Sequence, residues 1–250
     1  VDCFELSDTF TNEIKKGPGD YSKEQKLQDI EEKIRNFDPS SPKASLIPLA
    51  LEAAYISRSL ENLKDVTMEK FERALRIINE FGLPAHKTEC IYEWAWTLHW
   101  WYEDYDGFYK KYCEYEELAL SSDNIYEIER LSNLWMNLRT WSFTKQDLNI
   151  KPHTIKLQEA LEQFINDKSR PHTAFEAHAI MLNVSFMFKD NPEDLDIDDL
   201  VCKYIDLIKN SDKHLDFSLL TLSKIITSIP FLEDSKHYDE MFELLTTKLA

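Results

Sequence analysis

Apolar side chains recur at spacings of three and four along most of the chain, the period of helices with one face turned inward. Leu27, Ile30 and Ile34 make such a stripe in an otherwise polar segment, Glu24 to Arg35. The break Phe37-Asp38-Pro39-Ser40-Ser41-Pro42 follows. There Ser41 reads as an N-cap and Pro42 as the first residue of a helix running to about Asn62. Pro48 inside that helix implies either a bend or a later start. Thr67 is the expected cap of a helix through Phe81, with Phe71, Leu75 and Ile78 inward and Gly82 at its C-terminal stop. An aromatic helix is predicted over 86–104, another ending near Leu120, and a third from Asp123 to Trp141. Further helices are predicted over 153–167, 172–188, 197–210, 214–229 and 235–248, punctuated by Pro152, Pro171 and Pro192. No turn pair flanked by alternating apolar residues signals a β-hairpin.

Helices joined by such short links must lie beside their sequence neighbours. The expected fold is therefore all-α, with antiparallel helix pairs stacked into an α-solenoid, each pair taking roughly 35–45 residues. Residues 1–22 are poorly patterned, and 23–250 read as a single helical-repeat domain with a soft boundary near 142–152. Between Ala95 and Ala119, the residues Leu98, Tyr102, Tyr115, Leu118 and Ala119 are spaced like the packing residues of a helical repeat. Phe71 followed by Ala74 repeats the aromatic-then-small motif of a second helix. In these residues the chain resembles the tetratricopeptide-like superfamily, although His99 and Lys111 stand where that motif favours small side chains. The resemblance implies a right-handed superhelix whose concave face holds peptides or partner proteins. It carries over no catalytic residue.

Charge narrows the choice of partners. The chain holds 46 acidic and 29 basic residues, a net charge of −17. That field repels nucleic acids and anionic membranes and favours a basic protein or peptide. The acid concentrates in 101–130, with nine acidic residues against three basic, and in 188–216, with nine against four. With only 4 glycines the chain has little material for phosphate-cradling loops. No apolar run is long enough for membrane insertion. Cys3, Cys90, Cys113 and Cys202 are spaced like neither a zinc site nor a redox pair, which suits a cytoplasmic or otherwise intracellular setting. The start, VDCFELSD, reads as the cut end of a longer protein.

The candidate chemistry centres on the run from Tyr92 to Tyr105. At 100° per residue, Ile91, Trp94, Leu98, Trp101, Tyr102 and Tyr105 share the core face. Trp96 and Trp100 fall outside it, on an arc with Glu93, His99, Glu103 and Asp104. Flat rings with an acidic rim suit a Lys, Arg or methylated ammonium group through cation–π attraction. Arg130, Asn133 and Asn137 lie on a nearby helix, where amides one turn apart can hold a peptide backbone and the guanidinium a carboxylate. Glu103, Asp104 and Asp106 lack the second acidic box that a metal-diphosphate site needs. Asp194, Asp196 and Asp198 begin like a calcium loop, but Asp199 and Ile205 stand where glycine and glutamate are required. The seven histidines form no zinc motif. The expectation is a non-catalytic scaffold without cofactor or metal, binding a protein or peptide through Trp96, His99, Trp100, Arg130, Asn133 and Asn137. The alternative is a small-molecule or enzymatic domain with an aromatic pocket around residues 91–105. A third is a structural spacer within a longer chain. The oligomeric state stays open.

Overall fold

The computed structural model describes residues 18–145, 147–188, 195–214, 217–227 and 229–249. Among them are eleven α-helices, some 3₁₀ turns and no strand. The helices are α1 (Pro18–Arg35), α2 (Leu46–Ser59), α3 (Lys64–Phe81), α4 (Pro84–Trp100), α5 (Tyr105–Leu120) and α6 (Ile125–Ser142). They continue with α7 (Lys151–Ile165), α8 (Pro171–Ser185), α9 (Ile197–Asn210), α10 (Leu219–Thr227) and α11 (Tyr238–Leu249). The fold is all-α and built of stacked antiparallel helix pairs. The chain divides into two compact units, one up to Cys90 and one from Ile91. Of the expected N-terminal segment, residues 1–17 lie outside the described residues and the remainder opens α1.

In the first unit α2 packs on both α1 and α3. Ala50, Ala53 and Ala54 are fully buried along α2. Ile30, Ala53 and Ile56 form a small core flanked by Leu27 and Ile34, the stripe expected for α1. Ser41 is not a helix cap. A 3₁₀ turn occupies Lys43–Ser45, and α2 begins at Leu46, so Pro48 sits in its first turn, where a missing N–H costs nothing. Thr67 is not a cap either. It is buried inside α3, its hydroxyl 2.8 Å from that of Ser57 on α2.

Gly82 does end α3, but with φ at −90° rather than in the left-handed region. Its need for glycine is one of space, since an added Cβ would lie 2.7 Å from the Ile78 carbonyl oxygen. Glu31 of α1 accepts a hydrogen bond from Lys70 at 2.7 Å and two from Arg73 at 2.7 and 2.8 Å, tying α1 to α3.

In the second unit α6 packs on α5, α7 and α8, and α9 on α8 and α11. Its distal core gathers Leu200, Tyr204, Ile208, Leu222, Leu232 and Met241. Asp196 caps α9, accepting from the Asp199 N–H at 2.9 Å, and Ile205 is a core residue. Asp194 and residues 189–193, 215 and 216 of the acidic stretch lie outside the described residues. No described helix is long and apolar enough to cross a membrane.

Two predictions follow from the first unit. The Arg73 hydrogen bonds, helped by Lys70, hold the Glu31 carboxyl at about 2 against an ordinary 4.5. This contribution to stability is complete above pH 4.5 and is lost as pH falls through 4.5 toward 2. Chemical unfolding of Glu31→Gln against the parent should show a destabilisation at neutral pH that shrinks on acidification. Gly82→Ala should cost about 1–3 kcal/mol in the same assay, because the Ile78 carbonyl cannot move aside.

Candidate partner-binding face

The face begins with how α4 ends. Glu103 takes a left-handed φ of 48°, and the Asp104 N–H reaches back to the Leu98 carbonyl at 2.9 Å. This closes the helix in the manner usual for glycine. Asp104 then caps α5, accepting from the Gly107 N–H at 3.0 Å. Trp101, Tyr102 and Tyr105 therefore do not continue the core face of α4. Trp94 and Leu98 are buried as expected, whereas Trp101 is 39% exposed, a correction that follows from the helix ending at Trp100 rather than at the expected residue 104.

Tyr92, Trp96 and Trp100 sit at i, i+4 and i+8 and form a ladder up α4. Tyr92 stacks on Trp96 with centroids 6.0 Å apart, and Trp96 meets Trp100 at 5.7 Å. Trp100 is 56% exposed and Trp96 half-buried. His99 is half-buried between the Trp100, Tyr105 and Phe108 rings, at 4.9, 5.6 and 5.0 Å. Its Nδ1 is buried without a hydrogen-bond partner among the described residues, and burial pushes the imidazole pKa down, favouring the neutral ring.

Helix α6 supplies the neighbouring stripe, Tyr126, Arg130, Asn133, Asn137 and Trp141. The Arg130 guanidinium lies between two rings, 4.7 Å from the Tyr92 centroid and 4.5 Å from that of Tyr126. Among the described residues no carboxylate forms a salt bridge with it. Burial pushes the Tyr92 hydroxyl up to about 12, an effect that Arg130 and the Asn133 amide only partly offset. Asn137 is half-buried one turn further on. Trp141 stacks on Tyr105 at 5.5 Å, and Lys145 lies over Trp141 at 4.5 Å while pairing with Asp106 at 2.9 Å. Five of the six expected partner residues thus belong to the ladder or the stripe beside it, while His99 is wedged between α4 and α5. Tyr92, Tyr126 and Trp141 are additions. Their i, i+4 spacing to Trp96, Arg130 and Asn137 was the available signal.

Beside Tyr126 a cleft of about 480 Å³ opens between α6, α8 and α10. Its walls include Ile125, Ile180, Leu222 and Ile225, with Glu129 and Glu176 as its acidic groups. Nothing in the local sequence of α6 announces it, since α10 begins 77 residues after α6 ends.

Not all the acid of 101–130 reaches the surface. Glu116 is 2% exposed and accepts hydrogen bonds from His153 at 2.7 Å, Lys156 at 2.6 Å and Tyr112 at 3.2 Å. Burial pushes this carboxyl up, but His153 and Lys156 outweigh it and hold it below its ordinary value. Tyr109 extends the network, its hydroxyl 3.1 Å from His153 Nε2. Glu127, also buried, accepts from the Tyr115 hydroxyl at 2.5 Å. These groups tie α5 to α7 and α6. Among the described residues, no group of three or more His, Cys, Asp or Glu could hold a metal ion.

The chain matches no family model, no curated protein and no solved structure.

Removing Glu116 leaves His153 and Lys156 without their carboxylate. Glu116→Ala should destabilise the second unit by about 3–5 kcal/mol in denaturant unfolding. Glu103→Gly should do the reverse, raising stability by about 0.5–1 kcal/mol, because glycine takes the left-handed turn without the Cβ penalty.

Proposed function

We propose that this chain is a non-catalytic helical module of tetratricopeptide-like, solenoid type, binding a basic protein or peptide on the face formed by α4 and α6. The observation that carries this reading is the continuous ladder Tyr92–Trp96–Trp100, still open to solvent at Trp100 and continued by Arg130 between its two tyrosines. Aromatic groups and arginine are the residue types that concentrate binding energy at protein interfaces. Even-numbered helices α4, α6 and α8 supply the ladder, the amide stripe and one wall of the cleft, as inner helices of a stack of pairs would. The net charge of −17 steers a cationic partner toward the chain and raises its association rate. A cationic side chain of that partner stacks on Trp100, and Asn133 and Asn137 flank its backbone.

The alternative of a small-molecule pocket around residues 91–105 has less support. The 480 Å³ cleft is lined by α6, α8 and α10, and the rings of α4 form a surface ladder.

The test is affinity capture from the native cell extract with the parent chain and with Trp96→Ala, Trp100→Ala, followed by titration of the captured partner. Trp100→Ala should leave thermal unfolding nearly unchanged and weaken the partner by about 2 kcal/mol or more. Association should slow as salt is raised. A large loss of stability with unchanged affinity per folded molecule would return Trp100 to ordinary packing and defeat the proposal.

A further inference from the structure

The buried pair of Tyr115 and Glu127 closes the inner end of the aromatic ladder. Tyr115 is fully buried on α5, and its ring lies 5.5 Å from that of Tyr92, centroid to centroid. From Tyr92 the rings continue to Trp96 at 6.0 Å and on to Trp100 at 5.7 Å. All three spacings are those of rings in contact. Four aromatic groups therefore run without a gap from the inside of the second unit to Trp100, which is 56% exposed. Each is an indole or a phenol, the ring types most readily oxidised by one electron, and no phenylalanine interrupts them.

The inner end has a place for a proton. The Tyr115 hydroxyl donates to Glu127 Oε2 at 2.5 Å, and Glu127 is itself buried. Burial and this carboxylate push the phenol pKa well above its ordinary value, so the resting group keeps its proton. Loss of an electron reverses that balance, because an oxidised phenol is a strong acid. Tyr92 differs in both respects. The Arg130 guanidinium, 4.7 Å from its centroid, opposes a positive charge resting on the ring. The side chain that acts on its hydroxyl through a hydrogen bond is the Asn133 amide, which takes up no proton. Oxidation of the ladder thus has its stable resting place at Tyr115.

We propose that the ladder conducts one-electron oxidation inward, from Trp100 to Tyr115, when an oxidising radical from solution strikes its exposed end. The radical takes one electron from the Trp100 indole and becomes its reduced anion. An electron then passes from the Tyr115 ring through Tyr92 and Trp96 to the Trp100 radical cation, while the phenol proton crosses to Glu127 Oε2. The products are neutral Trp100, a neutral tyrosyl radical and a carboxylic acid. The charge of the buried carboxylate disappears with that of the indole, and removing a buried charge favours this direction. The relay spares the exposed indole, and it does not depend on whether a peptide binds there.

The test is pulse radiolysis of the full chain with azide radicals, which oxidise indole rings, followed by transient absorption of the indolyl and phenoxyl bands. The chain carries Trp101→Phe and Trp141→Phe, because Trp101 is the other exposed indole and Trp141 stacks on Tyr105 and would oxidise that phenol instead. The phenoxyl band should grow as the indolyl band decays, at a rate independent of protein concentration. Adding Trp96→Phe or Tyr115→Phe should each abolish most of that growth and leave a persistent indolyl signal. Both keep an aromatic ring in place, and circular dichroism checks their folding. Glu127→Gln keeps a hydrogen-bonding side chain that cannot take the proton and should slow the growth several-fold. Deuterium oxide should slow it as well, a measurement that needs no further variant. The proposal is overturned if no phenoxyl band grows, if the growth scales with protein concentration, or if it survives Trp96→Phe or Tyr115→Phe. Indifference to both deuterium oxide and Glu127→Gln would also overturn it.

Discussion

The turn at Glu103 decides what the aromatic run of this chain becomes. Had α4 continued for another turn, Trp101, Tyr102 and Tyr105 would have joined Trp94 and Leu98 on one buried face. Instead the Asp104 N–H closes on the Leu98 carbonyl, and the helix stops at Trp100. Two consequences follow. Trp100 is left near a helix end with half its surface in water, and Tyr105 is handed to α5, where it stacks on Trp141 of α6. The chain accomplishes this with a glutamate in a left-handed conformation, at a cost of about 1–2 kcal/mol. The helix-closing hydrogen bond and the Asp104 cap on the next helix offset that cost.

The acidity of the chain serves two different ends. Glu31, Glu116 and Glu127 are structural, each holding neighbouring helices together through short hydrogen bonds, with Lys, Arg, His or Tyr as donors. Burying a carboxylate is tolerable only with such partners, so these sites are fixed in geometry and sensitive to truncation. Glu129 follows neither pattern. It lies in the cleft wall, open to solvent and without a salt bridge among the described residues, and the nearby Arg130 only partly offsets the desolvation that raises its pKa. Arg130 is set apart as well, since its guanidinium lies against two ring faces and forms no salt bridge among the described residues.

Ladder and cleft meet at Tyr126, one face of which lies against Arg130 while the residue also lines the cleft. One side presents ring faces along α4, the other a groove with aliphatic walls that Glu129 and Glu176 also line.

Helix positions were legible in the sequence because burial of one face imposes a period of three and four whatever the neighbours are. The stripe of Leu27, Ile30 and Ile34 needed nothing more, and of Phe71, Leu75 and Ile78 the two ends are buried while Leu75 is half-buried, its place in the core taken by Ala74. The position of Trp96 and Trp100 off the core face was likewise readable from rotation by 100° per residue, and it leaves Trp96 half-buried and Trp100 exposed. Helix ends were less so. Ser41, Thr67 and Trp101 carry the right local chemistry for the roles expected of them, yet hydrogen bonds made elsewhere decided otherwise, with Thr67 taken up by Ser57 and Trp101 stranded by the Glu103 turn. The cleft lay beyond sequence reasoning altogether. Glu129, Glu176 and Ile225 belong to three helices spread over nearly 100 residues, and no periodicity in any one of them specifies which others it will face. Local spacing determines which side of a helix is buried; only the packing of distant helices determines where a concavity forms and which charge is left inside it.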